Sequence, residues 1–135
     1  MDTLSPEQEA LLQRAKGTVQ KYLEHGKSVP VFAIALQSDG GINSLLASDE
    51  FTNPDDAFAS LLNMLGLLAQ DGMITTAVLV PPVLDELRDS VVLFELEQRG
   101  GSRFGVVLPY TTNDAGGIAY GAHAIREITP MLVFG

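Results

Sequence analysis

Val91-Val92-Leu93-Phe94-Glu95-Leu96-Glu97-Gln98, then Arg99-Gly100-Gly101-Ser102, then Arg103-Phe104-Gly105-Val106-Val107-Leu108-Pro109-Tyr110 is the stretch that decides the fold. Two runs rich in β-branched and aromatic residues flank a Gly-Gly turn, which predicts a β-hairpin. Phe94 and Leu96 alternate with Glu95 and Glu97. That period of two predicts one buried face and one wet face, with both carboxylates on the wet one, paired across the hairpin with Arg103 or Arg99.

Upstream of the hairpin, Ile74 to Val80 is apolar and β-branched and stops at Pro81-Pro82, so a strand is expected there. Val83 to Asp89 has room for one short helical turn. Further back, Val29 to Leu36 reads as a strand with Phe32, Ile34 and Leu36 on one face and Val31, Ala33 and Ala35 on the other. Ser38-Asp39-Gly40-Gly41 is a turn, and Ile42 to Leu46 is expected to return antiparallel.

Two helices complete the set. Ser5-Pro6-Glu7-Gln8 is a capped start with proline at the first helical position, and Leu11, Ala15, Val19 and Tyr22 form the stripe behind it. His25-Gly26 is the stop, and Gly17 in mid-helix is read as a close backbone approach. Asn53-Pro54-Asp55-Asp56 starts the second helix, whose Phe58, Leu61, Leu65 and Leu68 stripe is widened by Leu62, Met64 and Leu67 into a heavily buried element. After the hairpin, Thr111 to Gly117 is a polar loop, and Ile128 to Phe134 reads as a final strand entered at Pro130. The expected architecture is one α+β domain spanning 1–135, with a mainly antiparallel five- to six-stranded sheet and two long helices packed on one face.

Composition narrows the function classes. No cysteine is present, which excludes disulfides, thiolate metal sites and a cysteine nucleophile. Met1 to Glu9 is acidic and polar, with neither the basic start nor the apolar stretch of a signal peptide, so a cytoplasmic location is expected by default. No apolar run approaches the ~18 residues of a membrane span. Eight Lys and Arg against 17 Asp and Glu give a net charge of −9. From Ser28 to Leu87 there is no basic residue, while Asp39, Asp49, Glu50, Asp55, Asp56, Asp71, Asp85 and Glu86 are all acidic. Such a surface repels phosphates, so neither nucleic acid nor an anionic membrane is an expected partner; the acidity is read first as solubility, with a surface for a basic protein partner as the alternative. Apolar residues on both faces of the strands, with two helices to cover them, lead to an expectation of self-association as a dimer.

No catalytic constellation emerges. His25 and His123 are far apart, the adjacent acids lack ligand-loop spacing, no serine stands in a G-x-S-x-G elbow, and neither Gly40-Gly41 nor Gly116-Gly117 is followed by Lys or Arg. Neither a metal nor a cofactor is expected, and no catalytic residue is assigned. One polar and aromatic concentration lies at a sheet end: Tyr110, Asn113, Asp114, Tyr120 and His123. Loops at strand ends carry function often enough that these five are the candidate binding residues. His123 is one of two histidines, the side chain whose charge changes near neutral pH.

The sets Val31-Phe32-Ala33-Ile34-Ala35-Leu36 with Asp39-Gly40-Gly41, Val91 to Glu97, and Leu108-Pro109-Tyr110 resemble small bacterial proteins of unknown function. The resemblance implies a compact α+β domain and brings no catalytic residue with it. The expected function is a non-catalytic interaction domain of the adaptor, immunity or chaperone-like type. The alternative is a small-molecule binder or enzyme using the Tyr110–His123 region.

Overall fold

A computed structural model of the chain describes residues 4–26, 29–46, 53–82, 91–101, 103–112, 115, 117–128 and 132–134. Helix α1 (Pro6–Glu24) and strands β1 (Phe32–Gln37) and β2 (Ile42–Leu46) come first, followed by helix α2 (Pro54–Gln70) and β3 (Ile74–Val80). Strands β4 (Val91–Gln98), β5 (Arg103–Thr112), β6 (Ile118–Tyr120) and β7 (Ala124–Ile128) complete the order. The expected turn at Val83 to Asp89 lies outside the described residues.

The helix starts are the ones the sequence encodes. Ser5 accepts from the Gln8 amide at 3.1 Å, and the Gln8 side chain accepts from the Ser5 amide at 2.9 Å, a complete capping box. Asn53 caps α2 through the Asp55 amide, with Asp55 and Asp56 in the first turn where the helix dipole favours them.

All strand pairings are antiparallel, in the order β2-β1-β3-β4-β5-β6, with β7 also on β5. The α+β class therefore stands, with seven strands. Strands β6 and β7 share one edge of β5. Their registers, Tyr110↔Tyr120 and Val107↔Ala124, leave Gly121 to His123 opposite Leu108 and Pro109. Three residues facing two is a β-bulge, so β6 and β7 are two halves of one interrupted outer strand. Gly121 donates to the Pro109 carbonyl at 2.9 Å, and a Cβ placed on it would stand 2.9 Å from Pro109 Cγ.

The two helices do not share a face. Leu11, Leu12, Ala15 and Val19 of α1 pack on Phe32, Ile34, Val78, Val80, Phe94, Leu96 and Val106. Leu65 and Ala69 of α2 pack on Ala33, Ala35, Ala77 and Leu79. Alternate residues of one strand point to opposite faces, so α1 and α2 sandwich the sheet. Strands β1 and β3 are apolar on both faces, and each face needs its own cover. An extra residue, Thr75, opposite the Leu36–Gln37 step of β1 turns Ile74 towards the α2 side, where it is 1 % exposed.

Of the expected final strand Ile128 to Phe134, Ile128 closes β7, residues 129–131 lie outside the described residues, and Leu132 to Phe134 run without strand pairing against β4; Ala124–Ile128 is the last regular element among the described residues. Nor is α2 buried throughout: Met64 and Leu67 are 40 % and 55 % exposed.

Candidate functional site

The residues expected to form a binding rim are distributed unequally. Tyr110 is 7 % exposed and belongs to the core under α1. Tyr120 lies directly across from it on β6, more than a third exposed. Burial first, and then the nearby Glu24 charge, push the Tyr120 phenol above its usual range. His123 is exposed in the bulge, and Lys16 of α1 reaches it at 2.7 Å from Nζ to Nδ1. An ammonium can only donate, so Nδ1 is the acceptor and the ring proton sits on Nε2. Asn113 and Asp114 lie outside the described residues. Tyr110, Tyr120 and His123 thus sit near one another, but Tyr110 is committed to packing. The contact of Lys16 with His123 ties α1 to the outer strand. A shallow groove of about 390 Å³ lined by Thr18, Lys21, Tyr22 and His25 runs along the last turns of α1.

The acids read as a wet face belong to a buried cluster. Glu97 is 0 % exposed. Its Oε1 accepts from the amides of Leu132, Val133 and Phe134 at 2.9, 2.8 and 3.4 Å. Arg103 Nε stands 3.8 Å from Glu97 Oε2, and the Arg103 guanidinium also pairs with Glu95. Desolvation holds the Arg103 guanidinium below its usual range. Arg99 donates to the carbonyls of Ala69 and Ile74 and stacks over the Phe134 ring at 5.3 Å. Three successive amides converging on one carboxylate oxygen form an anion cradle. Here the anion is the protein's own, and the cradle pins the C-terminal segment, whose Val133 enters the α2-side core. The arrangement is structural in its Oε1 half, which holds the three amides, while Glu97 Oε2 is buried without a hydrogen-bond partner and faces Arg103 Nε at 3.8 Å.

The third feature was not singled out from the sequence. Strand β2 ends the sheet, and among the described residues no strand pairs with its outer side. Gln37 donates to the Gly41 carbonyl at 2.7 Å across the β1–β2 turn, which Gly40 closes at φ 94°. Antiparallel pairs alternate between bonded and non-bonded. With register Ala35↔Asn43 and Ala33↔Leu45, the bonded residues of β2 are Asn43 and Leu45. Ile42, Ser44 and Leu46 therefore aim their backbone N–H and C=O groups outward. Their side chains share the α1 face, and Leu46 is 61 % exposed. Ile42-Asn43-Ser44-Leu45-Leu46 contains no charge and no proline, the usual protections of an open edge.

Acidic groups lie at the turn end of this edge. Ser38 donates to the Met73 carbonyl at 2.9 Å, so the turn bearing Asp39 lies beside the turn bearing Asp71. Beyond the other end, the sequence continues through Asp49 and Glu50 to the exposed Asp55 and Asp56 of α2. Among the described residues, no group of three or more His, Asp or Glu is placed to hold a metal ion. No described helix is long and apolar enough to cross a membrane. No protein-family model, no curated protein and no solved structure matches the chain.

Proposed function

We propose that this chain is a non-catalytic protein–protein interaction domain, of the adaptor, immunity or chaperone-like type, that engages its partner along the outer edge of β2. The observation that carries this is the unprotected edge: outward backbone groups at Ile42, Ser44 and Leu46, flanked by exposed apolar side chains. An extended segment laid there would gain main-chain hydrogen bonds and bury Leu46 and Ile42. A cytoplasmic setting goes with this proposal.

The alternative, a small-molecule binder or enzyme at Tyr110–His123, draws support from the exposed Tyr120 and His123 with Lys16 beside them. The burial of Tyr110 weighs against it. Self-association remains a second use of the β2 edge, since both sheet faces behind it are covered by helices and the exposed apolar groups of β2 lie at its margin.

The test is affinity capture from native lysate with the parent protein and Ser44→Pro in parallel. Proline at 44 deletes an outward N–H without touching the β1 ladder. Proteins retained by the parent and lost with the variant support edge recognition. Equal retention by both, or no specific retention across salt conditions, would reject it.

A further inference from the structure

Helix α2 buries Ala57, Leu61, Leu65 and Ala69 against the sheet. Asp56, Ser60, Asn63, Leu67 and Gln70 recur at spacings of four, three, four and three, so they form a stripe on its opposite side. From Ala57 to Gln70 no residue is charged. Leu67 on this stripe and Met64 beside it are 55 % and 40 % exposed, and Met73 just past the helix is 52 % exposed. A solvated helix face ordinarily carries charges, as α1 does with the exposed Arg14, Lys21 and Glu24.

The charges of α2 stand at its two ends. Asp55 and Asp56 are exposed in the first turn. Asp71 is exposed at the C-cap, and the turn bearing Asp39 lies beside it, held by Ser38 donating to the Met73 carbonyl. The two ends are not equivalent. Carboxylates in a first turn complement the helix dipole, whereas Asp71 and Asp39 add negative charge at the pole that is already negative. No basic residue stands in the last turn of α2. Arg99 reaches that end, but its guanidinium donates to the Ala69 and Ile74 carbonyls and lies over the Phe134 ring.

We infer that the outer side of α2 docks an amphipathic helix of another, basic protein, with apolar side chains over Met64 and Leu67 and a Lys or Arg towards each end. The main-chain groups of α2 are bonded within the helix, so this surface offers side chains only. A second helix fits such a surface, ridges into grooves, whereas an added strand needs free main-chain partners. From Asp56 to Asp71 is 71 − 56 = 15 residues, about 22 Å at the helical rise, so the partner's end cations stand about four turns apart. A second copy of this chain is a poor occupant. Antiparallel packing of two α2 helices sets Asp71 of one against Asp55 and Asp56 of the other, and parallel packing sets Asp71 against Asp71. Either arrangement places like charges together. The inference does not rest on the β2 edge, which is a different surface.

Two pools of helical peptides, about 18 residues long so that they span α2, test it. They share a stripe of Leu and Ala at helical spacing and differ only in Lys or Glu at the ends. Anisotropy reads affinity, and amide shifts at Asn63, Met64 and Leu67 read the place. The Lys-ended pool is expected to move those amides and to bind roughly tenfold tighter than the Glu-ended pool, from two exposed ion pairs, weakening as salt rises. Leu67→Ser should abolish its binding, and Asp39→Asn with Asp71→Asn should remove most of its advantage. All three side chains are exposed, so the melting temperature should stay near that of the parent. Ser44→Pro should leave peptide binding unchanged. Equal binding of both pools would overturn the cationic partner, and a Lys-ended pool that leaves the three amides unmoved would overturn the site. A sedimenting dimer dissociated by Leu67→Ser would replace the foreign helix by a second copy. Lysate capture lost in Ser44→Pro, with no shift on α2, would remove this inference and leave the edge reading standing. Peptide binding on α2 with capture indifferent to Ser44 would do the reverse.

Discussion

At the scale of single residues, Glu97 departs furthest from its sequence pattern. Alternation with Phe94 and Leu96 places it on the opposite face, which is correct, but that face is covered where Leu132 to Phe134 cross it. Periodicity reports which way a side chain points and says nothing of what lies over it. Glu97→Ala leaves three amides without their acceptor and should cost about 3 kcal/mol in urea unfolding. Glu97→Gln, which keeps one carbonyl oxygen, should cost about half of that. In both variants the amides of Leu132, Val133 and Phe134 should exchange faster than in the parent. Gly17 was expected to mark a close approach, yet a Cβ there meets nothing within 4 Å. Gly17→Ala should therefore stabilise α1 by about 0.5–1 kcal/mol. Glu7 gives a pH signature. Its own backbone amide first, and then the Gln98 side chain, hold its carboxyl below the usual range. A lowered folded value means stability that is present above the ordinary carboxyl range and lost as pH falls through the folded value. Glu7→Gln should lower the melting temperature slightly at neutral pH, with the difference from the parent vanishing in acid.

At the scale of elements, caps and turns were legible because each is written in a few adjacent residues. Ser5 to Gln8, Asn53 to Asp56 and Ser38 to Gly41 all fold as their chemistry dictates. Strands β6 and β7 were not, because each is short and a bulge resets the alternation between them. The signal that was present is Gly121 set one residue after Tyr120, and the structure shows why glycine suits it: Pro109 Cγ occupies the space of a side chain. Gly121→Ala should cost about 1 kcal/mol, and the Lys16–His123 contact should loosen with it, visible as a change in the His123 ring resonances. Strand β2 was recognised as a strand and overlooked as a surface, since an edge is defined by what fails to pair with it. Proline scanning makes the distinction measurable. Asn43→Pro removes a ladder bond and should destabilise by about 1 kcal/mol or more. Ser44→Pro, whose N–H faces outward, should leave the unfolding midpoint close to that of the parent.

At the scale of the whole molecule, two helices on opposite faces of a seven-stranded sheet account for the doubly apolar β1 and β3 within one copy. The expectation of both helices on one face failed because the sequence shows how many apolar faces exist but not which helix reaches which. It also carried the main motive for a dimer, and that motive now shifts to the sheet's margin. What survives from composition is the charge map: an acidic stretch from Ser28 to Leu87 that contains β2, and basic residues only up to Lys27 and from Arg88 onward. The candidate rim at Tyr110–His123 and the edge at β2 lie on opposite margins of the sheet, so one experiment separates them. Amide exchange should be followed residue by residue in the protein alone and in complex with a partner recovered by capture. If β2 is the interaction edge, Ile42, Ser44 and Leu46 slow markedly on binding while Tyr120 to Ile125 exchange as before. Slowing confined to Tyr120 to Ile125, with Ile42, Ser44 and Leu46 unchanged, would contradict it.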